Sequence, residues 1–211
     1  MKFHVYNFFL CLLASCLLTN CATAPEANKR PSTPVSKTVP AVTEDPRYIA
    51  PGQIDPNAKR FLKSIKTGEF IYNGFTKEMK KSAANNPSLT EVVNRAFANI
   101  TSDDFENIAA KVYTRHLSKP TLEELMNFTE GPVGGRFFRS IFTYIAESKP
   151  IDNDAVMRQF NADELTTLLK FTQSNAFVEM QSKLPTINKE MSEEGQRFSE
   201  AVIKFYVKNT K

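Results

Sequence analysis

From residue 56 onward the chain repeats one local instruction, a small polar or acidic residue followed by apolar residues spaced three and four apart, and this restricts it to helices. Asp55-Pro56 is a cap with a first-turn proline, opening a short helix with Phe61, Leu62 and Ile65 that should end near Gly68. Ile71, Phe75 and Met79 fall on one face of a second helix. Ser88 with Glu91, Thr101 with Asp104, Thr121 with Glu124 and Asn161 with Glu164 each have the spacing of a capping box. The stripes that follow them are Leu89, Val92, Val93, Ala96 and Phe97; Phe105, Ile108, Ala109 and Val112; Leu122, Leu125 and Met126; and Leu165, Leu168 and Leu169. Gly131-Pro132 breaks the third of these before a long helix with Val133, Phe137, Ile141 and Ile145, and a last segment carries Phe198, Val202 and Phe205. Five or more helices with short connections make an all-α bundle the expected fold.

Such a bundle must hold by apolar burial. All three cysteines lie in the first 21 residues, so no disulfide can staple residues 57–211. Seventeen Phe and no Trp point to a phenylalanine-packed interior, and about 155 residues suffice for one domain with its own core. The 27 Lys and Arg against 23 Asp and Glu give +4. Without residues 1–20, which contain only Lys2 among these, 26 cations face 23 anions, or +3. The signs are interspersed, without the basic stripe that nucleic acid requires, so no nucleic-acid partner is expected.

The N-terminal part follows other rules. Residues 21–56 contain seven of the 12 prolines, with Ser, Thr, Lys and Glu between them, too little apolar surface to offset ordering entropy. The expectation is a disordered tether reaching at most about 100 Å when extended, and about 30 Å as a coil. Before it, Lys2 precedes an apolar run over residues 5–18, about fourteen residues where a spanning helix needs ~20. This reads as an export signal. Leu13-Ala14-Ser15-Cys16 resembles the bacterial lipobox, cleaved before a cysteine that is then acylated. Leu18-Thr19-Asn20-Cys21 resembles it too, with a bulkier residue at the cut. Cys16 is favoured by side-chain size and gives a signal of residues 1–15. Cys21 gives residues 1–20 and leaves the mature chain without a free thiol. An ordinary secretory cut after Ala22-Thr23-Ala24 is the competing possibility. Several acyl chains would hold the protein to a membrane, since each buried methylene contributes about 0.8 kcal/mol. Neither Leu17 nor Ala22 is the aspartate that commonly retains such proteins in an inner membrane, so the expectation is the outer membrane, facing the periplasm.

Shifting the chain by 43 residues superposes two stretches. Leu122, Leu125, Met126, Phe128 and Thr129 fall on Leu165, Leu168, Leu169, Phe171 and Thr172, with Glu130 opposite Gln173; farther on, Phe137 meets Met180 and Ile141 meets Leu184. Each copy reads as a capped helix, a break and a longer helix, a hairpin whose apolar face its twin can cover.

The first copy, Thr121-Leu122-Glu123-Glu124-Leu125-Met126-Asn127-Phe128-Thr129-Glu130-Gly131-Pro132-Val133-Gly134, resembles the bacterial domain-of-unknown-function family 2059. That family has a Thr-x-x-Glu-Leu helix, an aromatic residue, and a Ser-Pro-x-Gly break. Gly131 stands where the family usually has Ser, and Thr129 where it often has Tyr. The resemblance covers about residues 105–211. It implies an exported helical domain and carries over no catalytic residue.

Chemistry is sparse in this sequence. His4 lies in the signal, and His116 falls near an expected helix end, where its cation would favour the dipole. Metal-ligand, paired-cysteine and phosphate-loop motifs are lacking, so no catalytic residue, metal or cofactor is assigned and no enzyme is expected. The carboxylate pairs Asp103-Asp104, Glu123-Glu124, Asp163-Glu164 and Glu193-Glu194 are sequence neighbours, which do not face each other on a helix. Arg136 and Arg139, flanking Phe137 and Phe138, are candidates for gripping an anionic headgroup or glycan, or for the solvated side of their helix. The functional expectation is a membrane-anchored envelope lipoprotein whose helical module binds another envelope protein. The alternative is a carrier of an apolar or lipid ligand.

Overall fold

The computed structural model describes residues 45–50, 52–83, 87–146, 149–150 and 152–208. The signal, Cys16, Cys21 and most of the tether lie outside these, as do the side chains of Ser88, Leu89, Val92, Ala96 and Ile145. Among the described residues there is no strand. Nine helices follow in order: α1 Pro56–Ser64, α2 Thr67–Ala83, α3 Pro87–Phe97, α4 Ser102–His116, α5 Lys119–Glu130, α6 Pro132–Ala146, α7 Asn153–Met157, α8 Ala162–Thr172 and α9 Asn175–Lys208. The fold is the all-α bundle of helical hairpins.

Three of the expected caps form. Asp55 Oδ1 accepts from Asn57 N–H at 2.8 Å, the Asp104 carboxylate accepts from Thr101 N–H at 2.8 Å, and Asn161 and Glu164 bond reciprocally at 2.9 and 3.0 Å. Each satisfies N–H groups that a helix start leaves without partners. The apolar stripes meet in one core rich in phenylalanine. Phe61 of α1 packs against Tyr113 of α4 and Phe138 of α6, with ring centroids 5.8 and 6.3 Å away. Phe105 of α4 joins Phe75 of α2 at 5.3 Å and Phe198 of α9 at 5.4 Å. α1 lies along α5 and α2 along α4, while α9 runs past α5, α4 and α3. With 34 residues α9 is about 50 Å long, enough to connect both ends of the bundle.

Several element boundaries differ from expectation. α1 stops at Ser64, and Lys66, at φ 58°, turns the chain into α2, so Gly68 sits inside the first turn of α2. Gly68 is there for proximity: a Cβ on it would overlap the Ser102 carbonyl oxygen and lie 2.9 Å from Glu106 Cβ. α3 begins at Pro87, ahead of Ser88, and Glu91 pairs with Arg95 one turn on. α5 begins two residues ahead of Thr121, with Ser118 as cap residue, and Thr121 is buried. The final segment is no separate helix; α9 runs unbroken through Pro185. The five-residue α7, capped by Asp152 accepting from Ala155 N–H at 2.9 Å, had no counterpart in the periodicity.

Candidate functional site: a hairpin crossing, an ionic clasp and a bare helix face

The two copies of the repeat are the hairpins α5–α6 and α8–α9, and they cross about an approximate twofold axis. Phe128 and Phe171, equivalent under the 43-residue shift, stack with centroids 3.6 Å apart and planes 5° from parallel. Polar contacts around them are reciprocal. Arg136 of the first hairpin reaches Glu164, in the first turn of α8, at 2.5 Å. Glu179, which is Arg136's equivalent, reaches Thr121, which is Glu164's equivalent, in the first turn of α5. Glu179 also accepts from the Ser118 N–H at 2.9 Å and from its hydroxyl at 2.7 Å. Each helix start thus receives a carboxylate on its cap N–H, from its own Glu164 in α8 and from the opposite hairpin in α5. Hydrogen bonds from Thr121 and Ser118 hold the Glu179 carboxyl below the usual range against the opposing effect of burial. Arg136 and the Asn161 backbone do the same for Glu164.

Arg136 also lies over the Phe160 ring, 4.6 Å from its centroid, so both of its contacts are internal. Arg139, three residues on, is exposed. The structure therefore places the two candidate headgroup ligands in different settings, and only Arg139 faces solvent.

A second cluster joins α4 to α9. His116 Nε2 and Arg115 both contact the Glu190 carboxylate. Arg115 also donates to Glu194 at 3.2 Å, and Lys111 and Arg197 lie 3.6 and 3.5 Å from Glu194. Burial raises the Glu190 pKa, but His116 and Arg115 outweigh it and leave the carboxyl below its ordinary value. Five of these six side chains titrate or carry charge within a patch that touches no described nucleophile, so its chemistry is that of a clasp between helices. The partner of His116 stands 74 residues away, which no local motif could reveal.

Glu106 is a different case. It is only 7% exposed, its Oε1 has no hydrogen-bond partner, and desolvation with Asp103 nearby raises its pKa. Among the described residues no group of three or more His, Cys, Asp or Glu could hold a metal, and no helix is long and apolar enough to cross a membrane. An apolar recess lined by Phe75, Met79, Val93, Phe97, Ile100 and Val202 has a volume of about 10 Å³, near what a single water molecule needs.

Large apolar side chains are otherwise well covered, with three exceptions among the described residues: Tyr48, Leu169 and Val178. The last two belong to the second hairpin. Leu169 is 60% exposed, whereas its equivalent in the first hairpin, Met126, is 6% exposed. Val178 is 56% exposed, and its equivalent is the buried Gly135, where a Cβ would lie 2.7 Å from the Thr129 carbonyl oxygen. The repeat was visible in the sequence; that one copy is bare where the other is covered was not.

Compared with known proteins, the chain matches no family model, no curated protein and no solved structure.

Proposed function

We propose that the protein is a lipid-anchored envelope protein whose helical domain is a non-catalytic interaction module. The observation that supports the module reading best is the pair Leu169 and Val178, apolar side chains held in solvent on one hairpin of an otherwise apolar-inside bundle. The anchoring rests on the sequence: the lipobox at Cys16 or Cys21, the proline-rich spacer after it, and the resemblance to an exported helical family. The membrane partner is engaged through acyl chains on the N-terminal cysteine, and the protein partner sits in the same envelope. Carriage of an apolar ligand gains less support, because the recess between α2, α3 and α9 falls far short of the ~300 Å³ of small ligand pockets.

The test uses the full-length chain in a bacterial host. Mass spectrometry of the mature N-terminus should find an acylated Cys16 or Cys21, and an unmodified Met1 or an unacylated new terminus would remove the anchor. Photo-reactive residues scattered over the bundle surface should give a reproducible adduct with one envelope protein; adducts at no position would remove the module.

A further inference from the structure

The internal symmetry says what kind of object covers Leu169. In the first hairpin, Thr129 and Glu130 of α5 contact α1: Ser64 donates to Thr129 Oγ1 at 2.8 Å, and Arg60 pairs with Glu130 at 2.6 Å. Met126 lies three and four residues before them, on the same helical face, and is buried. That face is therefore the seat of α1, a nine-residue helix presenting Phe61 and Leu62 with Ile65 one turn later. Shifted by 43 residues, the seat becomes Leu165, Leu169, Thr172 and Gln173 on α8, with Val178 beside it in place of Gly135. Leu165 is half-buried, Leu169 and Val178 are exposed, and no described helix plays the part of α1.

We propose that this face of α8 and the start of α9 is a docking site for a short amphipathic helix from another polypeptide, built on the pattern of α1. The proposal rests on the interaction-module reading and names its surface and the chemistry of its partner. The occupant carries two adjacent apolar residues and a third one turn on, which would cover Leu165, Leu169 and Val178. A hydroxyl at the place of Ser64 would meet Thr172. Gln173 replaces Glu130, so the occupant needs no cation where α1 has Arg60. Grooves that take amphipathic helices read such spaced anchors, and the second hairpin offers them without rearrangement.

The probe is a fluorescent, side-chain-stapled peptide with the sequence of residues 53–66, offered to the chain from residue 45 and to Leu169→Glu, Val178→Glu and Leu169→Met variants. All three positions are solvent-exposed or conservative, and circular dichroism checks that each variant keeps its helicity. Saturable binding is expected, weakened at least tenfold by either Glu variant, retained by Leu169→Met, and indifferent to Arg60→Gln in the peptide. Binding that survives both Glu variants would mean the peptide is displacing α1 from its own seat, and overturns the proposal. No binding overturns it as well. Sensitivity to Leu169→Glu seen only with phosphatidylethanolamine–phosphatidylglycerol vesicles would make the face a membrane contact instead, and equally overturns it. Surface cross-links that form elsewhere on the bundle but never at Leu165, Leu169 or Val178 would sink this inference while leaving the module reading intact.

Discussion

Two glycines in this bundle should respond to the same substitution with opposite signs. A Cβ on Gly134 would overlap the Phe128 carbonyl and lie 2.8 Å from its ring, both fixed by the α5–α6 turn and by the stack on Phe171. Gly74, in the interior of α2, has nothing within 4 Å of the same added atom. Gly134→Ala is therefore expected to destabilise by roughly 1–3 kcal/mol through overpacking, and Gly74→Ala to stabilise by about 0.5–1 kcal/mol through helix propensity. Urea midpoints at constant slope measure both, and equal signs would contradict the packing described. Phe138 is a third residue of this kind. It is 1% exposed and touches the rings of Phe61, Phe128 and Phe137, so Phe138→Ala should cost about 3–5 kcal/mol. Glu106 acts in the other direction with pH: its raised carboxyl pKa favours the folded state while protonated, and that contribution fades as pH rises through the folded pKa. Most of this core was readable from period alone, because Phe61, Phe105 and Leu125 lie on unambiguous stripes. Glu106 was not, since a carboxylate beside a helix start looks like ordinary first-turn charge until Gly68 brings α2 against it.

Between elements, the strongest specific contacts are carboxylates that tie one helix start or flank to another. Glu164, Glu179 and Glu190 all have lowered pKa values in the fold. A depressed folded pKa means stability that is present above the unfolded carboxylate pKa and is lost as pH falls through the folded one. Urea midpoints should thus drop on acidification below the ordinary carboxylate range. Glu179→Gln should lower the midpoint at neutral pH and make the acid decline shallower; an unchanged pH profile would show that Glu179 does not clasp α5. The boundary errors share a cause with these contacts. Thr121 with Glu124 has capping spacing, but Pro120 can occupy a first turn, and Glu179 arrives from α9 with the carboxylate that α5 needs. A sequence window cannot contain a cap supplied 61 residues away. Caps made locally, at Asp55, Thr101 and Asn161, were legible for the complementary reason. Likewise Pro185 suggested an interruption, yet α9 continues through it, with Leu184 and Ile187 buried on either side.

For the molecule as a whole, residues from 45 onward supply their own core and caps. A chain beginning at residue 45 should therefore unfold cooperatively with full helicity and a stability within about 0.5 kcal/mol of the longer chain, as circular dichroism in urea would show. A larger loss would mean that the proline-rich segment packs on the bundle. The fold class and the repeat were legible because both are written in spacing. The asymmetry between the hairpins was not, because it depends on which face α1 occupies, a choice made by the tertiary fold. The reciprocal crossing of those hairpins has a further consequence. Two self-complementary halves held in one polypeptide always meet at high effective concentration, so they are released from the rule that a homodimer's subunits must wear identical surfaces. One half can keep Gly134-Gly135 for close approach, while the other spends the same positions on Phe177-Val178, one inward and one outward. Fusion of this sort turns a symmetric scaffold into one with a single distinguishable side.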